Sequence, residues 1–202
     1  MARLYRTRRR VLRDPPMERD FEIYAESRSW PQERSVPRDA SAAVDHEVLW
    51  RATEGGLFDY LEAYLTGDAC ILGLSEDLAQ AESLIETVES DFDGMIYEEG
   101  ELLDRIEMSA DPQELARTLI RAGLGAPLTF DQEFFDLIVD HATSNPEFRI
   151  REIAIYSMVY MEWPEFMPVL RRISVDDPEM RVRDRAQILL DAYRNAGIGG
   201  DS

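Results

Sequence analysis

No lysine occurs among the 202 residues, and all 22 basic side chains are arginine. Against them stand 41 Asp and Glu, so the formal net charge is −19. That balance excludes a basic domain for non-specific duplex binding, whose affinity comes from neutralising phosphates and releasing counterions. Long apolar runs are also missing. Nothing approaches the roughly 20 uninterrupted apolar residues a membrane helix needs, so a soluble chain is expected. A single cysteine, Cys70, leaves no partner for an internal disulfide and points to a reducing, cytoplasmic home. Its acidic, Gly-flanked surroundings would raise a thiol pKa, which argues against a catalytic cysteine. The two histidines, His46 and His141, fall on different expected helices, without a His or Cys spacing that chelates zinc. A Gly-rich phosphate loop is absent. No catalytic residue, cofactor or metal is therefore assigned, and the chain reads as a non-enzyme.

What is present is unevenly placed. Residues 1–13 hold six arginines (Arg3, Arg6, Arg8, Arg9, Arg10 and Arg13) and no acid, so everything after them nets −25. Thr7-Arg8-Arg9-Arg10-Val11-Leu12-Arg13 resembles a twin-arginine export motif. The apolar core such a signal needs is replaced by Asp14-Pro15-Pro16-Met17-Glu18-Arg19-Asp20, so export is rejected. Residues 1–40 read as a flexible Arg-rich arm and a Pro-containing linker, with one short helix near 21–28 and Trp30 packing on the adjacent domain. Such an arm solvates freely, folds back on the acidic body or touches nucleic acid, which no other segment suits. Met17 is a second candidate start whose use would delete the cluster.

The strongest signal is self-similarity. Pro146-Glu147-Phe148-Arg149-Ile150-Arg151-Glu152-Ile153-Ala154 recurs 32 residues later as Pro178-Glu179-Met180-Arg181-Val182-Arg183-Asp184-Arg185-Ala186. Glu133-Phe134-Phe135 lies over Glu165-Phe166-Met167 at the same offset, and Glu101-Leu102-Leu103-Asp104 under Glu133-Phe134-Phe135-Asp136. Three units follow, about 97–128, 129–160 and 161–192, each read as two helices. The second helix of each opens on a capping side chain and proline: Asp111-Pro112, Asn145-Pro146 and Asp177-Pro178. Gly123 and Gly197 are read as left-handed caps after their helices. Upstream, Val44, Val48 and Leu49, then Leu78, Leu84, Ile85 and Val88, keep helical spacing. They predict helices over 41–53, 57–66 and 75–90, broken by Gly55-Gly56, Gly67 and Gly73. With no convincing alternating strand, the expected fold class is all-α: a helical repeat domain over 41–197 and a tail at 198–202.

The run Asp-Asp-Pro-Glu-Met-Arg-Val-Arg-Asp-Arg-Ala at 176–186, with Trp163-Pro164-Glu165-Phe166-Met167-Pro168-Val169-Leu170 before it, resembles the short HEAT-type helical repeat. The resemblance covers residues 129–192 and extends to 97–128. It implies an α-solenoid of antiparallel helix pairs. It further implies that Ala154 and Ala186 allow close helix approach, that Pro146 and Pro178 open helices, and that Arg151 and Arg183 pair with an acid of a neighbouring repeat. The alternative for these arginines is anion binding on an inner face. A cofactor-handling enzyme similar to HEAT-like bilin lyases would need a nucleophile or acid pair in a pocket, which nothing in the sequence singles out.

Residues 76–114 contain 14 acids and one base, Arg105, a net charge of −13 over 39 residues. A field of one sign steers a basic partner. Asp91, Asp93, Glu98, Glu99 and Glu101 are accordingly expected to contact such a partner, with Trp163 as an anchor in the Tyr156, Met158, Tyr160, Met161 patch. Glu89, Asp91, Asp93 and Gly94 imitate the start of a calcium loop, but the position of its final bidentate Glu is Gly100. The expected function is an adaptor or inhibitor that binds a basic protein, of which an immunity or antitoxin-like protein masking a basic toxin is one form.

Overall fold

A computed structural model describes residues 4–13, 17–52 and 55–199. The chain divides into two compact units, residues 1–98 and 99–202. Strands β1 (Tyr5–Arg6), β2 (Arg10–Val11), β3 (Gln32–Val36), β4 (His46–Arg51), β5 (Leu57–Glu62) and β6 (Ala69–Ser75) build the first unit with helices α1 (Glu18–Ser27) and α2 (Leu78–Asp91). The strands form one antiparallel sheet in the order β1-β6-β5-β4-β3, with β2 also on β6. The fold is therefore mixed α and β, which corrects the all-α solenoid expected from sequence.

The physical reason lies in the spacing. Val44 and Val48 are four residues apart, and residues four apart share a face in a helix and in a strand alike. In β4 the alternation decides: Val48 and Trp50 enter the core while Glu47, Leu49 and Arg51 point the other way. Gly55-Gly56 and Gly67, read as helix breaks, lie in the hairpin connections of β4 with β5 and of β5 with β6. Of the three helices expected upstream, only the one over 75–90 exists, as α2, capped by the Asp77 side chain on the Ala79 N–H at 2.9 Å.

The Arg-rich arm is also corrected. Two of its stretches, Tyr5–Arg6 and Arg10–Val11, are strands on β6: Arg10 pairs with Ile71 and Val11 with Cys70, and Leu12 bridges Ile96. Val11 and Leu12 are buried. Arg3, Pro15 and Pro16 lie outside the described residues, as do Thr53 and the tail from 200. The core of this unit is aromatic, with Phe21 of α1 4.5 Å from Phe92 and 5.5 Å from Phe58, and Trp30 and Trp50 within 5.8 Å of Phe58. Rings in such tilted arrangements contribute beyond the area they bury.

The second unit is six helices: α3 (Glu99–Met108), α4 (Pro112–Gly125), α5 (Gln132–Ser144), α6 (Phe148–Met161), α7 (Phe166–Asp176) and α8 (Met180–Asn195). They pack in consecutive pairs, α3 with α4, α5 with α6 and α7 with α8, and α6 also touches α4 and α8. Asp111 caps α4 through the Gln113 and Glu114 N–H groups, and Asp131 caps α5 through Glu133 and Phe134. Helices α6 and α8 start two residues after Pro146 and Pro178, with Asn145 and Asp177 accepting from the Glu147 and Glu179 N–H groups. Gly197, at φ +72°, follows α8 as a left-handed cap. Gly123 does something different: it lies inside α4, where a Cβ would come within 2.5 Å of the Ser157 carbonyl, so its missing side chain lets α4 approach α6. Ala154 and Ala186 are fully buried between helices. Among the described residues no helix is long and apolar enough to cross a membrane.

Candidate protein-interaction site

The acidic block is divided between the two units: its part up to Glu98 belongs to the first and its remainder to the second. Several of its carboxylates have cationic partners. Asp91 accepts from Arg28 at 2.6 Å and from the Tyr24 hydroxyl at 2.9 Å, and Glu89 accepts from Arg10 at 2.9 Å. These bonds engage one oxygen each of Asp91 and Glu89 in the imitated calcium loop, while Arg13 N–H donates to the Met95 carbonyl and Tyr97 N–H to that of Val11. Among the described residues no group of three or more His, Cys, Asp or Glu is placed to hold a metal ion. Asp93 is exposed beside Glu86, Glu89 and Ser90 in a shallow 350 Å³ depression. Glu99 and Glu101 sit in the first turn of α3, where a helix favours negative charge.

Trp163 is not an exposed anchor. It is 2% exposed and stacked 5.7 Å from Phe166, with Phe130 against it at 5.5 Å. Tyr156, Met158, Tyr160 and Met161 are buried too. Arg151 and Asp177 form a buried two-pronged ion pair, Nε to Oδ2 at 2.8 Å and Nη2 to Oδ1 at 2.9 Å, joining the second helix pair to the third. Burial pushes the Asp177 carboxyl up, but the Arg151 and Glu179 N–H bonds outweigh it and hold the group below its ordinary value.

Cys70 is fully buried and burial pushes its thiol up to about 12, so it carries no thiolate at neutral pH. Burial pushes His46 down, yet Glu18 at 2.9 Å, the Val36 carbonyl at 2.8 Å and Glu62 leave it raised overall. Burial lowers His141. Asp59 of β5 is 5% exposed, and burial with the nearby Glu47 charge pushes it up to about 7 against the pull of Arg9 and Arg34.

The residues that sequence reasoning missed lie on α3 and α5. Glu107, Gln132, Glu133, Asp136 and Asp140 line a 530 Å³ groove whose floor is Leu103 and Leu137. All four carboxylates are exposed, and among the described residues none has a cationic partner; Asp136 accepts only from Gln132, at 2.8 Å. The signal was available: Glu133, Asp136 and Asp140 recur at i, i+3 and i+7, which places them on one helix face beside Leu137. A second opening of 490 Å³ on α3 and α4 includes Glu101, Asp104, Asp111 and Glu114 with the exposed Met108. Chemically, these grooves can attract cations and cover apolar side chains; in the second, the Ser109 hydroxyl donates to the Arg105 carbonyl at 2.6 Å. No protein-family model, curated protein or solved structure matches the chain.

Proposed function

We propose that this protein is a non-catalytic protein-binding module whose acidic helical surface takes a basic segment of a partner. One observation carries the reading: four carboxylates that meet no cation among the described residues line the groove of α3 and α5 beside Leu103 and Leu137. Like charges held this close repel one another, and a partner's Arg or Lys side chains relieve that repulsion while their stems and an apolar neighbour cover Leu103 and Leu137. A concrete form is an adaptor or inhibitor, such as an immunity or antitoxin-like protein that occupies the basic substrate surface of a toxin. The Arg-rich N-terminal segment lends little support to nucleic-acid binding, since Arg10 is already bonded to Glu89 and lies 3.8 Å from Glu82.

The test is titration of a labelled amphipathic peptide of alternating Arg and Leu pairs against the full chain at 50 and 300 mM salt. Binding should weaken at least tenfold over that range, because exposed charge pairs are screened. The triple change Glu133→Gln, Asp136→Asn, Asp140→Asn should weaken it by a similar factor at low salt. Affinity indifferent to both salt and these changes would sink the reading.

A further inference from the structure

Arg151 and Arg183 hold equivalent places in consecutive helix pairs and differ in one respect. Each turns Nη1 back onto the loop that opens its own helix, Arg151 to the Asn145 carbonyl at 2.9 Å and Arg183 to the Asp177 carbonyl at 2.6 Å. Arg151 then closes the rest of its fork on Asp177 of the following pair. Among the described residues no carboxylate meets the fork of Arg183.

The same offset runs along the outer stripe of the helix. On α6 the stripe is Phe148, Glu152 and Tyr156, four residues apart, and α8 covers it with two arginines. Arg181 lies 5.8 Å over the Phe148 ring and 3.2 Å from Glu152, while Arg185 lies 3.5 Å from Glu152 and 5.7 Å over Tyr156. Tyr156 is 7% exposed. The counterparts on α8 are Met180, Asp184 and Ile188. Met180 and Ile188 are 61% and 60% exposed, and Asp184 is exposed without an ion pair among the described residues.

We propose that this face of α8 is a docking site for a helix of another protein that opens Asp-Pro and carries Arg four and eight residues after the Asp. The chemistry is that of α8 on α6. The incoming Asp closes the Arg183 fork in two parallel bonds. The two incoming arginines meet Asp184, and their methylene stems cover Met180 and Ile188. Charge does not oppose the approach: over residues 171–194 six arginines face five acids, so this end of the chain lacks the acidity of the whole.

The probe is a labelled synthetic hairpin copying residues 164–195, which carries Asp177, Arg181 and Arg185 in the required register. Its anisotropy is followed on adding the full chain. Saturable one-to-one binding is expected, weakened at least tenfold by Arg183→Ala in the chain or Asp177→Asn in the hairpin, and restored when Arg183→Asp meets Asp177→Arg. For a hairpin too weak to fold alone, the same segment is fused in register after Asn195. The fusion should raise the urea midpoint, and Asp177→Asn in the copy should abolish the gain. Failure of both the hairpin to bind and the fusion to stabilise overturns the proposal, as does binding that Arg183→Ala leaves unchanged. A full chain that sediments as a dimer, dissociated by Ile188→Asp, puts a second copy on the face and also overturns it.

Discussion

Asp59 shows how much a single residue's meaning depends on its neighbours. In sequence it is one of 41 acids. In the sheet it lies between Leu49 and Leu72, with Oδ1 meeting no donor. Burying a carboxylate without full hydrogen bonding disfavours its charged form, which is why it titrates at about 7 in the folded protein. The unfolded chain releases the same proton near the ordinary Asp value of about 4. Below that value both states are protonated and the penalty is absent. As pH rises from there to 7 only the folded state holds the proton, so stability falls, and above 7 the full cost of the buried charge remains. Asp59→Asn should therefore raise stability by about 1–3 kcal/mol at pH 8 and do little at pH 4. Urea unfolding across that pH range checks this, and a gain of equal size at both ends would contradict it.

At the scale of elements, the repeat was the legible part of the sequence and the sheet was not. Proline after a capping side chain, repeated at a fixed offset, marks helix starts because each chemical role has few substitutes. Strands β4 and β5 are six residues each, too short for a period of 2 to separate from 3.6 when charged and apolar side chains mix on the second face. The arginines of the repeat divide by burial. Arg151→Ala leaves Asp177 buried without its cation, and should cost about 3–5 kcal/mol. Arg183→Ala removes a partly exposed group that bonds only loop carbonyls, and should cost about 1 kcal/mol or less. Paired urea melts followed by the helical signal at 222 nm would expose the error if the two losses were alike. The acidic groove shows a third case. Its α5 residues share a face by spacing alone, but that Glu107 of α3 lines the same groove depends on how the two helices pack.

For the whole molecule, the charge of −19 resolves into local arrangements with different consequences. Arg10 meets Glu82 and Glu89 and Arg13 stacks over Tyr97 inside the first unit, while among the described residues Glu107, Glu133, Asp136 and Asp140 meet no cation. Removing residues 1–16, as a start at Met17 would, takes away β1, β2, the buried Val11 and Leu12, and the partner of Glu89. Each buried side chain of that size is worth roughly 1.5–3 kcal/mol, enough together to unfold a marginal unit. The truncated chain should show red-shifted emission from Trp30 and Trp50, both in the first unit's core, while the six-helix unit with its own core keeps its signal at 222 nm. Native-like emission after truncation would show that the segment is dispensable. Sequence alone determined the acidity, the Asn-Pro and Asp-Pro helix starts and the 32-residue repetition, because composition and local hydrogen-bond chemistry act within a turn or two of chain. Only the tertiary structure decided that the Arg-rich segment is a sheet edge, that Trp163 is interior, that Arg151 is closed while Arg183 is open, and which acids stand together without cations. Those properties depend on contacts between residues distant in sequence, where burial and pairing set the energy.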